Sequence, residues 1–431
     1  MGVGATVGGE ILRLPGPVAR AIPDRGLFLS AWLLGGLYAG LCALSFAELA
    51  TRVPRTGGLT RFAEEALGPF SGFLVGWGDF LASAFTVAAY GLLVGELAAG
   101  LGVPGSPRLL AAGSVLLVVA LQWPGLRPGS LVQDLASAAK GILLMGLALL
   151  GLFLAAPGEH PAGPPPGAGP VAFLGAMQLV IFAYDNFYAP VYFGEEYRNP
   201  GRALPRSLLG GVALVTLLYL TLAWGLSRGL SHGELAASAF PGEELGRRVF
   251  GPPGARIVAG ILLLSLFSGM HATALIASRI LFALGAEGLA WHHSTDVNRG
   301  GTPTTGLAAT ALLALCGLGL PSFEKAVQFM SPFVLLNYAL CFASLLVLRR
   351  RDPHPPGVFL APGQPLLVLL SLGGSLVFLA GSLLSEPRLA AGALLLAALA
   401  GPVYLSLRRW RRLPGAPQGP GQETGKGPPR W

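Results

Sequence analysis

Apolar stretches of about 17–25 residues recur from end to end of the chain, broken by short links in which the charged residues gather. Each stretch is long enough to cross a hydrocarbon core about 30 Å thick as a helix. The pattern predicts about twelve spans: Val3–Ile22, Leu27–Ala50, Phe70–Ala98, Leu109–Trp123, Leu131–Ala155, Val171–Phe193, Leu208–Leu226, Ile257–Leu284, Thr304–Leu320, Val327–Leu348, Leu366–Leu384 and Leu389–Leu407.

Two of these spans are interrupted. In the sixth, Tyr184-Asp185-Asn186 falls about eleven residues in from Val171, roughly 17 Å and so near mid-membrane. Pro190 follows; it lacks an N–H and clashes with the carbonyl four residues back. Asn186 is expected to cap a new half-helix that starts at Phe187. The first span carries a matching defect, with Gly8-Gly9, the carboxylate of Glu10 and then Pro15. Non-helical backbone survives at that depth only where protein buries it or it lines a wet cavity.

Corresponding interruptions in two halves of a chain point to a transporter binding site. A broken helix offers N–H groups at one end and C=O groups at the other, attracting an anion and a cation respectively. Two such breaks side by side suit a zwitterion with charges a few ångströms apart, such as an α-amino acid.

Composition agrees with a membrane protein. Of 431 residues 53% are hydrophobic and 12% charged, against about 25% charged in soluble domains. The net charge of +8 is confined to the ends of apolar runs, which argues against nucleic acid as a partner. The surplus of Lys and Arg, including Arg349-Arg350-Arg351 and Arg408, Arg409, Arg411 and Arg412, falls on the side of the N-terminus. Both termini are therefore expected in the cytoplasm, with the chain multi-pass in the inner (plasma) membrane. Cys42, Cys316 and Cys341 lie inside apolar runs and lack metal spacing, so neither a disulfide framework nor a metal is expected. With no GxxxxGK[ST] loop, ATP-driven transport by this chain is not expected. No cofactor and no enzymatic role are expected either.

Four segments, in order, resemble the amino acid–polyamine–organocation permeases, which have the LeuT-type fold. They are Gly4–Gly16; Phe46–Gly58 running on to Gly68 and Gly76-Trp77; Gly194–Arg206; and Ser278–Gly288 with Asn298–Pro303. The resemblance implies an all-α fold in which 1–155 and 156–348 are inverted five-helix repeats. Residues 349–407 would add two spans, and 408–431 would form a disordered tail. It also implies that Gly8, Gly9, Glu10 and Ile11 hold the substrate carboxylate. Phe182, Ala183, Tyr184 and Asp185 would hold the amine, and Glu195, Glu196, Arg198 and Arg202 would form inner-gate pairs.

The family usually has glycine where this chain has Glu10, and a longer half-helix precedes the motif where this chain has Met1. Three readings of Glu10 stand open: neutral by burial, paired with Arg13, or selecting cationic substrates. Lys140 lies about nine residues into the fifth span, too deep to snorkel. An intramembrane lysine is a functional candidate, and some proton-coupled members of the family carry one in this span. Lys140 is thus the expected proton-coupling group, near the first and eighth spans, with a static tie to Ser265 or Ser268 as the alternative. Asp79 and His271 are expected to make interhelical hydrogen bonds. The function expected is secondary active amino-acid transport, by proton symport or exchange. The alternatives are polyamine or organic-cation transport, and amino-acid sensing without transport.

Overall fold

The computed structural model describes residues 8–54, 57–125, 130–153, 169–196, 199–363 and 365–411; the side chains of 130–140, 193–196, 200, 292, 410 and 411 stand outside that description. The described chain is all-helical, apart from one isolated bridge between Val297 and Pro303. Seven of its helices are long and apolar enough to cross a membrane, and four shorter ones are also apolar.

A 3₁₀ turn, Gly9–Leu12, leads into α1 (Pro15–Ala21), followed by α2 (Arg25–Arg52), which Asp24 caps by accepting from the N–H of Leu27 at 2.7 Å. Next come the short α3 (Leu59–Leu67), then α4 (Pro69–Gly100), α5 (Pro107–Gln122) and α6 (Ser130–Phe153). The next break separates α7 (Pro170–Tyr184) from a 3₁₀ segment, Ala189–Glu196, and α8 (Pro200–Gly229). The short α9 (His232–Ala237) starts with a capping box, Ser231 with Glu234. It precedes α10 (Pro241–Ala286), α11 (Thr304–Gly317), α12 (Phe323–Arg351), α13 (Leu366–Ser385), α14 (Pro387–Ala398) and α15 (Ala400–Arg411).

Two departures of the elements from the expected spans are set by proline or glycine. The eighth span was expected from Ile257. Helix α10 begins sixteen residues earlier and bends at Gly251, whose φ of +72° ends one helix before Pro252-Pro253 begins the next. The last span is split at Leu399, because Pro402 has no N–H for the carbonyl of Ala398.

Helix α4 is the centre of the bundle. It packs against α3, α5, α10, α11 and α12, and 89% of its apolar window is buried. Helices α13, α14 and α15 lie at the periphery, with 33% and 22% of their windows buried. Their exposed leucines suit acyl chains rather than water. Position in the bundle thus separates a protein-facing core from a lipid-facing rim.

Candidate functional site

The first interruption begins at Gly8, extended at φ −108° and ψ 168°. The chain then winds one 3₁₀ turn, and the N–H groups of Arg13 and Leu14 both donate to the carbonyl of Glu10 at 2.9 Å. Only from Pro15 is it α-helical. The Glu10 carboxylate folds back over Gly8 and fills the space that a side chain at position 8 would need. Glu10 is 3% exposed, and its carboxylate faces the hydroxyl of Tyr90 on α4.

The second interruption follows Tyr184. The N–H of Asp185 closes α7 on the carbonyl of Phe182 at 3.0 Å, after which Asp185 is extended. Asn186 is left-handed at φ +64°, a conformation asparagine tolerates. The expectation that Asn186 caps a helix starting at Phe187 is corrected here. Winding resumes at Ala189 and in 3₁₀ form, with Pro190 unable to donate to an α-helical ladder. The Asp185 carboxylate accepts from the hydroxyl of Tyr338 on α12 at 2.6 Å.

Two tyrosines from neighbouring helices join the interruptions. Tyr90 faces Glu10, and its ring lies 6.4 Å from that of Phe182. The Tyr219 hydroxyl on α8 faces the backbone at Gly8, and its ring lies 5.1 Å from Tyr184. Tyr184 in turn donates to the carbonyl of Trp32 at 3.0 Å. Gly8, Glu10, Phe182 and Tyr184 thus belong to one buried constellation, with Ile11 and Ala183 fully buried beside them. A slit of about 10 Å³ between α7 and α12 reaches Phe182 and Asp185, lined also by Gln178, Met330, Ser331 and Val334. It has room for about one water molecule, so the site is closed in this conformation.

Both ends of the site are tied shut. At one end Arg13, one turn beyond Glu10, binds Glu324 at 2.8 Å and Glu96 at 3.3 Å; it also donates to the carbonyl of Ala239 and lies over the Phe240 ring. That one guanidinium links the first interrupted span to α4, α12 and the α9–α10 connection. Of the three readings of Glu10, pairing with Arg13 loses its motive, since Arg13 has two other carboxylates to neutralise it.

Toward the opposite end the hydroxyl of Tyr192 donates to the buried Asp79 on α4, fulfilling the expected interhelical bond. Gly58, at φ +57°, lies so close to the Tyr192 ring that a side chain there would collide with it. Arg61 bridges Glu64 at 2.7 Å and Glu287 at 2.9 Å, joining α3 to the end of α10. Burial pushes the Glu287 carboxyl up to about 7; Arg61 opposes that and Glu64 adds to it.

The remaining expected residues are placed as follows. Lys140 lies on α6, and its side chain is outside the described residues. Glu195 and Glu196 end the 3₁₀ segment, also without described side chains, and Arg198 is outside the description altogether. Arg202 is exposed in the first turn of α8. The carbonyl of His271, rather than its ring, accepts an interhelical bond, from Gln122 at 2.7 Å. Among the described residues no group of three His, Cys, Asp or Glu could hold a metal. Sequence reasoning missed Tyr90, Tyr219 and Tyr338. Their signal was a hydroxyl inside an apolar run, which needs a partner when buried.

An amino acid permease family model matches residues 1–405. The chain belongs to the amino acid permease family. It is a multi-pass membrane transporter and not an enzyme. The permease is 27% identical over 420 residues to the "Serine/threonine exchanger SteT" of Bacillus subtilis, covering 94% of each chain. It is 28% identical over 400 residues to the "b(0,+)-type amino acid transporter 1" of Mus musculus, covering 89% of this chain and 81% of the relative. The "Branched-chain amino acid permease BcaP" of Lactococcus lactis is 26% identical over 406 residues, covering 87% and 86%.

Proposed function

We propose that the permease moves an α-amino acid by alternating access. The substrate carboxylate rests on backbone amides of Gly8–Ile11, and the amine on carbonyls of Phe182–Asp185. The observation that carries this reading is the joining of both helix interruptions by the same two tyrosines, Tyr90 and Tyr219. Opposite partial charges at two adjacent broken helices match a zwitterion. Relatives named as an exchanger of serine and threonine and as a branched-chain permease support an amino-acid cargo.

In this reading 1–155 and 156–348 are inverted repeats, 349–407 supply two further spans, and both termini face the cytoplasm of a plasma membrane. The Arg13 cluster is then the outer closure. Tyr192–Asp79 and Arg61–Glu287, with Glu195, Glu196, Arg198 and Arg202 nearby in sequence, form the inner one. Lys140 couples a proton to substrate, or else stands as a fixed cation in an exchanger.

A second reading, transport of an organic cation such as a polyamine, is favoured by one observation. The Glu10 carboxylate already lies against Gly8, where a substrate carboxylate would bind.

Uptake of labelled amino acids and polyamines into proteoliposomes, with and without an inward proton gradient, tests both readings in wild type and Lys140→Ala. Gradient-driven uptake of one amino-acid class, lost in the variant, is the expected result. Uptake only against internal amino acid, indifferent to the gradient, makes the protein an exchanger and Lys140 structural. Polyamine uptake alone establishes the second reading, and binding without any uptake overturns both.

A further inference from the structure

Among the seven long apolar spans of the described residues, the one formed by α14 and α15 is the least buried. Along α15 runs a groove of about 520 Å³, lined by Leu399, Pro402, Val403, Ser406 and Leu407, and by Trp291 from the link after α10. The helix residues recur at intervals of three and four, so the groove follows one face of α15 for about two turns, roughly 12 Å. Its floor is solid: Leu407 packs into a cluster with Phe73, Phe80, Ile280 and Leu284.

The groove has a charged end. Arg409, three residues past Ser406 on the same helix face, is exposed, with Arg408 beside it. Trp291 is 53% exposed at the rim, the amphipathic ring expected where hydrocarbon meets headgroups. An apolar channel on a lipid-facing helix that ends at a guanidinium is complemented in a bilayer by an acyl chain whose headgroup carries a net negative charge, with no ammonium to offset its phosphate.

We propose that this groove binds one anionic phospholipid, with an acyl chain along Leu399–Leu407 and its phosphate at Arg409. The site is outside the substrate path, yet it touches the helix that packs on the central α4. Tyr404 lies 5.3 Å from Phe70 and 5.5 Å from Phe73, ring to ring, and Trp77 donates to the carbonyl of Leu396 at 2.9 Å. The bound lipid therefore holds α15 against α4.

The test is native mass spectrometry of the purified full chain with an equal mixture of palmitoyl-oleoyl phosphatidylglycerol and phosphatidylcholine. Wild type retains the glycerol lipid over the choline lipid by about fivefold, the attraction of one arginine. Arg409→Ala abolishes that preference, Arg409→Lys keeps most of it, and Val403→Trp, which fills the groove, lowers retention of both lipids. Arg388→Ala, exposed at the other end of the same pair of helices, leaves retention unchanged. Equal retention of the two lipids by wild type overturns the proposal, as does retention that survives both Arg409→Ala and Val403→Trp.

Discussion

Tyr338 donates a 2.6 Å hydrogen bond to Asp185 and so ties α12 to the carboxylate that ends the first half of a broken span. The Tyr338 ring is itself walled by Phe46 at 5.3 Å, Tyr188 at 5.8 Å and Phe187 at 6.1 Å. Tyr338→Phe keeps that packing and removes the donor, leaving a carboxylate that is 7% exposed short of a partner. The loss is about 1–3 kcal/mol, read as a lower melting temperature in detergent together with weaker uptake. Unchanged melting and uptake would contradict a role for this bond.

Tyr219 reaches both interruptions, so its hydroxyl can be removed without disturbing its ring. Tyr219→Phe preserves the contacts with Tyr184 and with Trp32 at 6.1 Å and removes the hydroxyl that faces Gly8. Stability falls by only about 1 kcal/mol, while uptake falls several times more than melting temperature implies. A proportionate loss of both would make Tyr219 a packing residue.

Arg13 holds Glu96 and Glu324 together at one end of the site. In Arg13→Gln the two carboxylates repel and that end opens. The readout is thiol labelling of Ser331→Cys, a slit-lining position, with the exposed Cys316 replaced by Ala and the buried Cys42 and Cys341 retained. Labelling becomes faster in the Arg13 variant. An equal rate in both backgrounds would show that the slit is closed by other contacts.

The places where sequence and structure agree share a cause. Glycine, proline and asparagine act on their own backbone, so the breaks near Gly8 and Asp185 follow from local chemistry. The tyrosines that join them do not. Tyr90 is about eighty residues from Glu10 and Tyr219 more than thirty from Tyr184, and no local rule brings those positions together. Arg13 illustrates the same limit. Local spacing offered Glu10 as one possible partner, whereas packing supplied Glu96 and Glu324 from α4 and α12. The Gly251 bend was missed because Pro252-Pro253 reads as a link, although the same prolines also start the helix that follows.

Glu48, wholly buried, accepts two bonds from Arg349 at 2.9 and 2.6 Å, one from Arg52 at 2.9 Å and one from the N–H of Ala361 at 2.8 Å. It thereby fastens α2 to α12 and to the segment beyond. Glu48→Ala strands the Arg349 charge and lowers stability by about 3–5 kcal/mol. The double variant Glu48→Ala with Arg349→Met recovers much of that loss, because the buried charge is gone too. Chemical unfolding of the singles and the double measures the coupling, and additive losses would show the pair to be independent.

Glu287 gives the protein a pH-dependent stability near neutrality. Burial raises its carboxyl from 4.5 to about 7, against the attraction of Arg61 and with the repulsion of Glu64. Between those values the folded chain holds a proton that the unfolded chain has released, so the folded state is favoured as pH falls. The contribution is full below about 4.5 and is lost as pH rises through about 7. Glu234 acts in the opposite sense. The backbone N–H of Ser231, and then Arg248, hold its carboxyl below the ordinary range, so its contribution is lost only as the solution becomes acid. The difference in melting between wild type and Glu287→Gln from about pH 5.5 to 8 isolates Glu287, because every other titrating group is common to both. The stability of wild type relative to Glu287→Gln declines across that range by on the order of 1–3 kcal/mol. Above pH 7 the ionised group binds Arg61 more strongly, and the tie between α3 and the end of α10 tightens as the chain as a whole loses stability. A difference between wild type and variant that stays flat with pH would place the Glu287 carboxyl outside this range and remove the effect.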